Sequence, residues 1–233
     1  QWLIKLISRI GYSQAKAISL TTDEIANFVK NTFSIPSDKI TVTPNWIDTT
    51  LFSPTVTANN LHNRILFVGR LSPEKNIALL VKALSTTGLG LDIVGQGPEK
   101  QSISDYAKSS GVDLIFHPPL ENHKMPEMYR QYPIFVLCSH YEGNPKVLLE
   151  AMACCCAAIG TTSSGIREVI NHQETGLLVS NDVTALRNAI LFLMHNPEVR
   201  ARLGRGARQA IIKNNSLKKS IKAEWAIYEN ILA

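Results

Sequence analysis

From residue 64 onward, short apolar runs alternate with stretches of helical period. The apolar runs fall at 64–68, 91–94, 113–116, 134–137, 156–159 and 176–179, with helical patterns near 75–86, 98–110, 123–131, 145–153 and 165–171. Strands apolar on both faces belong in a parallel sheet covered by helices on both sides, so the pattern predicts an α/β, Rossmann-like fold. Right-handed crossovers then bring the strand-to-helix turns to one edge of the sheet, where ligands of such folds bind. The tail changes character. Asn181 and Asp182 can cap a helix reaching Met194, and Asn196-Pro197-Glu198 opens another. A third, over 216–232, carries Ile221, Trp225, Tyr228 and Ile231 at helical spacing, and these read as core.

Residues 1–50 form a separate pattern: a helix, a strand at 17–20, a helix from Asp23 and a strand at 39–42. Two strands are too few for a sheet with its own core, so this segment is expected to belong to another domain. The expected division is therefore 1–52 and 53–233, with 53–63 reading as a linker and the chain as a piece of a longer protein. The first helix places Leu3, Leu6, Ile7 and Ile10 on one face. Burial of that face is expected, and a peripheral membrane contact through Trp2, Lys5 and Arg9 is the alternative. Charges inside this segment argue against a secretion signal, and no apolar run is long enough to span a bilayer.

Composition narrows the class without naming it. The 233 residues are 45% hydrophobic and 18% charged, enough to build a sizeable core. The net charge of +5 is modest and scattered. Its densest stretch, 200–222, lies in helical patterns without interleaved aromatics, which reads as a solvated face and not as a nucleic-acid surface. Cys138 and the run Cys154-Cys155-Cys156 fit neither a disulfide framework nor paired zinc spacing. They read as small buried hydrophobes in a reducing compartment.

Candidate chemistry gathers at the predicted sheet edge. Residues 140–153 set Glu142 and Glu150 around a helix start, with Gly143 for a tight turn, Asn144 as N-cap and Pro145 at the first helical position. Free N–H groups and the positive dipole end there suit a phosphate or sugar oxygen; the plainer alternative is a loop glutamate plus a solvated one. Gly69 ends the first strand of the series, Ser72 caps the next helix, and Arg70 and Lys75 flank it as a plausible diphosphate clamp. The Gly95-Gln96-Gly97 turn lacks the third glycine of a dinucleotide fingerprint and reads as close backbone approach to a ligand. His117-Pro118-Pro119-Leu120 supplies either a flat wall for a base or a rigid loop, and Ser163-Ser164-Gly165 opens one more polar helix start.

Asn45-Trp-Ile-Asp48 with Phe52, Val68-Gly-Arg-Leu-Ser-Pro-Glu-Lys-Asn76, Glu142-Gly-Asn-Pro-Lys-Val-Leu-Leu-Glu-Ala-Met-Ala153 and Thr175-Gly-Leu-Leu-Val179 resemble the retaining family 4 (group 1) glycosyltransferases of GT-B fold. The resemblance covers nearly the whole chain, in order. It implies that the part from about residue 53 binds the sugar donor and that the preceding part is the end of an acceptor-binding domain, with the last helix crossing back to it. Arg70 and Lys75 would hold the donor diphosphate, Glu150 the ribose hydroxyls, and Glu142 the transferred sugar. Backbone around Gly143, Asn144, Pro145, Lys146 and Val147 would contact sugar and phosphates, with Gly69 and Leu148 alongside. His117 and Pro118 would border the base. The implied partners are a nucleoside diphosphate sugar and a sugar or glycolipid acceptor. No metal or other cofactor is implied, and the expected location is the cytoplasm, at or near the inner membrane face. An inactive nucleotide-sugar-binding module and a GT-B sugar-nucleotide epimerase stay open. Two departures stand out: Trp46 where the family has glycine, and Cys154-Cys155-Cys156-Ala157 where the family's Gly and Pro would follow Ala153.

Overall fold

The computed structural model describes residues 2–55 and 63–232, so the stretch 56–62 of the predicted linker lies outside the described residues. The chain opens with α1 (Trp2–Gln14), β1 (Ile18–Leu20), α2 (Asp23–Phe33) and β2 (Ile40–Val42). β1 and β2 pair in parallel, Ile18 opposite Ile40, and a small cluster of Ile18, Val29 and Ile35 closes under α2. This miniature sheet does have a core of its own, though a small one.

The large unit is a six-stranded, all-parallel sheet. Its strands are β3 (Arg64–Val68), β4 (Gly90–Val94), β5 (Leu114–His117), β6 (Ile134–Leu137), β7 (Ala157–Thr161) and β8 (Leu177–Val179), in the order β5-β4-β3-β6-β7-β8. These are the six strands the apolar runs predict. The four central strands, β4, β3, β6 and β7, are buried almost throughout because helices cover both faces, while the edge strands β5 and β8 are only partly covered. On one side α3 (Ile77–Leu84) packs between α4 (Lys100–Ser109) and α8 (Val183–His195). On the other, α6 (Lys146–Ala153) packs between α5 (Met125–Gln131) and α9 (Pro197–Asn214). Strand order reverses between β3 and β6, and the crevice beyond their carboxyl ends is where ligands of open α/β sheets bind.

Asp182 caps α8 as predicted, its Oδ1 accepting from Thr184 and Ala185 N–H at 2.9 Å each. Two helices differ from expectation. The pattern near 75–86 resolves into a 3-10 turn, Pro73–Lys75, then α3 from Ile77, with Asn76 in a left-handed conformation between them. The pattern at 165–171 yields only α7 (Ser164–Arg167). The segment after β2 is held by the large unit. Ile47 and Phe52 lie in its core, Arg130 donates to Ser53 O at 2.6 Å, and Arg208 donates to Phe52 O at 2.9 Å.

The terminal helices overturn the burial expectations. α1 buries no residue; Leu3, Leu6, Ile7 and Ile10 all face solvent. α10 (Leu217–Leu232) likewise buries none, with Trp225 at 64% exposure and Ile221 and Tyr228 also exposed. Helical period fixes which side is apolar; it does not supply the surface that covers it. No described helix is long and apolar enough to cross a membrane.

Candidate functional site

The site forms where the turns after β3, β4 and β6 meet. β3 delivers Gly69 and Arg70 to the edge, and the Gly95-Gln96-Gly97 turn after β4 packs directly on them: Gly69 N–H donates to Val94 O and Leu71 N–H to Gln96 O, both at 3.0 Å. A Cβ at Gly97 would overlap the backbone of Leu71, including its nitrogen at 2.6 Å. The close approach that these glycines permit is therefore to the neighbouring loop. The turns and the start of α6 enclose a cleft of about 990 Å³ lined by Gly69, Arg70, Gly95, Lys100, Val147 and Glu150 among others, within the size range of small-molecule sites.

Beyond β6 the chain passes through Ser139 and His140 to Glu142, which is only 8% exposed. Glu142 Oε1 accepts from Lys75 Nζ at 2.6 Å and from Ser139 Oγ at 2.6 Å. Lys75 and Glu142, given separate tasks in the sequence, form one ion pair at the switch point. Arg70 is exposed and has no carboxylate within ion-pair distance among the described residues. Ser72 does occupy the cap position of the 3-10 turn, but its hydroxyl donates to Glu74 Oε1 at 2.5 Å and caps nothing.

α6 begins at Lys146, with Pro145 in the cap position and no side-chain cap. Asn144 is therefore not the N-cap: its Oδ1 accepts from Asn45 N–H at 3.0 Å and its carbonyl from Asn45 Nδ2 at 2.6 Å. Trp46 needs no left-handed backbone, and Lys146 Nζ lies over its ring, 4.9 Å from the centroid. Gly143 is not in the left-handed region either, and a Cβ there would meet nothing nearer than Ile25 Cδ1 at 3.9 Å. The glycine this loop requires is Gly165, in α7, where a Cβ would overlap the Gly143 carbonyl oxygen and lie 2.6 Å from that of Glu142.

About one turn into α6, Glu150 is 8% exposed and Oε2 accepts from the buried Tyr129 hydroxyl at 2.8 Å. Burial pushes the Glu150 carboxyl above its ordinary range, against the Tyr129 hydrogen bond and the Lys146 charge. Leu148 is fully buried in the core beneath. His117 is the last residue of β5, not the residue after it, and its Nε2 pairs with Asp92 Oδ1 at 2.6 Å. Asp92, 2% exposed, also takes the Arg64 guanidinium. His117 and Pro118 do not line the cleft; Pro119 and Leu120 do. Ser139 and Tyr129 escaped the sequence reading. The position of Ser139 three residues before Glu142 was the available signal for it, and Tyr129 carried none, since an aromatic on an apolar helix face reads as core.

Cys154 and Cys156 are buried and Cys155 is half-buried; burial pushes the Cys154 thiol up to about 12. Cys155 has a left-handed backbone, with φ of 66°. Among the described residues no three His, Cys, Asp or Glu side chains are grouped to hold a metal ion.

The fold and this edge define a Rossmann-like half of the GT-B type, with a ligand cleft at its topological switch point. A family model described as glycosyl transferases group 1 matches residues 51–210, and the chain belongs to that family. It is 27% identical to the Campylobacter jejuni GalNAc-alpha-(1->4)-GalNAc-alpha-(1->3)-diNAcBac-PP-undecaprenol alpha-1,4-N-acetyl-D-galactosaminyltransferase, over 95% of this chain and 62% of that protein. It is 28% identical to the alpha-maltose-1-phosphate synthase of Mycolicibacterium smegmatis, over 97% and 66%. The chain thus spans less than two thirds of these curated relatives. Among solved structures, sucrose-phosphate synthase from Thermosynechococcus elongatus superposes with a TM-score of 0.90 at 21% identity, covering 100% of this chain and 62% of that one. Anabaena HepE in complex with UDP and glucose gives 0.84 at 17% identity, covering 97% and 67%. At such identities these structures share the fold.

Proposed function

We propose that the chain is the donor-binding part of a retaining glycosyltransferase that moves a hexosyl unit from a nucleoside diphosphate sugar to an acceptor hydroxyl. One observation carries this reading: Arg70 and Glu150 line one cleft at the carboxyl ends of the strands, and the Lys75–Glu142 ion pair joins the turns after β3 and β6 on the same sheet edge, though neither of its residues lines that cleft. Family membership and a group of solved relatives that includes one bound to UDP and glucose support it.

As the glycosidic bond breaks, charge grows on the departing diphosphate. Arg70 grips oxygens bidentately, Lys75 acts as a point charge, and the backbone N–H groups opening α6 add the positive end of a dipole. Donors fixed in place before charge develops stabilise the transition state with little reorganisation. The acceptor attacks from the face the diphosphate leaves, and the leaving phosphate takes the acceptor's proton. Glu142 then orients the sugar and forms no covalent bond to it. Glu150, about one turn into α6, receives the ribose.

Calorimetric titration of the chain with UDP, GDP and ADP tests the reading. One nucleotide is expected to bind, with Arg70→Ala and Glu150→Ala each weakening it by about tenfold, the worth of one charge-assisted hydrogen bond. A folded chain that binds none of the three overturns the assignment, and trapping a glycosyl ester on Glu142 overturns the front-face mechanism.

A further inference from the structure

The carboxylate of Glu142 is held unequally. A carboxylate offers about two lone-pair sites per oxygen, and Oε1 has both engaged, by Lys75 Nζ and Ser139 Oγ. Oε2 has no hydrogen-bond partner among the described residues. It is not sealed away, because the one sealed and unpartnered side-chain oxygen among them is Ser163 Oγ.

The two donors on Oε1 differ in kind. Lys75 is a cation on a flexible stem, and a diphosphate arriving beside Arg70 competes with Glu142 for it. Ser139 is neutral, 1% exposed and sits two residues beyond β6. Its carbonyl accepts from Thr161 Oγ1 at 3.0 Å, and Thr161, the last residue of β7, is itself 1% exposed. A neutral hydroxyl on a locked backbone keeps its partner when phosphate charge draws the lysine away.

We propose that Ser139 is a positioning residue for Glu142: it retains Oε1 when the donor diphosphate engages Lys75, so that Oε2 is presented to a hydroxyl of the donor's sugar. This rests on the reading of the edge as a nucleoside diphosphate sugar site. Thr161 extends the same support one strand further. A serine just past a buried strand is ordinary loop chemistry, and only its spacing from Glu142 marks Ser139 in the sequence.

The test compares bare diphosphates with their sugars. The whole chain is titrated with UDP, GDP and ADP, then with UDP-glucose, GDP-mannose and ADP-glucose, and the gain contributed by the sugar is the ratio of the two dissociation constants. Ser139→Ala is expected to leave the affinity for the bare diphosphate within about twofold and to lower the sugar's gain by about tenfold. Ser139→Cys, nearly isosteric and a poor donor, is expected to do the same if the alanine variant proves unstable in a thermal melt. In a Glu142→Ala background, which leaves Ser139 no carboxylate to hold, the further change Ser139→Ala is expected to lower the gain no more. Folded Ser139 variants that keep the full gain overturn the proposal, as do variants that lose diphosphate and sugar alike, which would mark Ser139 as structural only. A wild-type gain of one removes the sugar assignment and leaves the diphosphate site standing. Failure of the wild type to bind any diphosphate overturns the site reading itself, and this proposal with it.

Discussion

Cys155 holds a backbone conformation that L side chains avoid, at a cost of about 1–2 kcal/mol. Its half-buried thiol and the extra freedom of a glycine in the unfolded chain offset part of that cost. Cys155→Gly is therefore expected to raise stability by about 0.5–1 kcal/mol in urea denaturation, and the β-branched Cys155→Val to lower it. Glu150 carries a different strain. Its carboxyl is raised in the folded chain by burial, so the folded state holds its proton more tightly than the unfolded state does. Its contribution is complete below the ordinary carboxyl value of 4.5 and is lost as pH rises through the raised one. Glu150→Gln keeps an acceptor for Tyr129 and removes the ionisation. The expected result is a melting temperature above that of the wild type at neutral pH, with a flatter profile over the acid range.

At the scale of elements, the site depends on which helix start touches which loop. Gly165→Ala forces the Glu142–Gly143 backbone to move and is expected to cost about 1–3 kcal/mol, the usual range for overpacking. Gly143→Ala meets open space with an unstrained backbone and is expected to change stability little. Thermal melts of the two variants decide between the glycine the sequence highlights and the one the packing requires. The contrast shows what a single chain makes legible. The six strands and the edge carrying Arg70, Glu142 and Glu150 follow from apolar runs and helix-start residues, which are local signals. The pairing of Lys75 with Glu142, the use of Asn144 by Asn45, and the retreat of His117 onto Asp92 join residues far apart in sequence. No periodicity encodes them; they follow from strand order, which sets the neighbours.

At the scale of the molecule, the apolar faces of α1 and α10 stand uncovered: Ile7 is 61% exposed and Trp225 64%. Faces of this kind associate in water. In sedimentation velocity the isolated chain is expected to self-associate as concentration rises, and Ile7→Lys with Trp225→Lys to reduce that association. A monomer at all concentrations would show that these faces are tolerated as they stand.

The small unit meets the large one at the start of α2. α2 leaves two of its first N–H groups, those of Asp23 and Glu24, to the Glu168 carboxylate just after α7, each at 3.1 Å. Thr22 takes the next, that of Ile25, at 3.2 Å. α7 meanwhile rests on the Gly143 loop through Gly165, whose N–H donates to Glu142 O at 3.1 Å. Seating of α2 and placement of Glu142 are thus two readings of one mechanical linkage. By thermodynamic reciprocity, a ligand that favours the seated geometry must tighten the joint by the same factor by which the joint tightens the ligand.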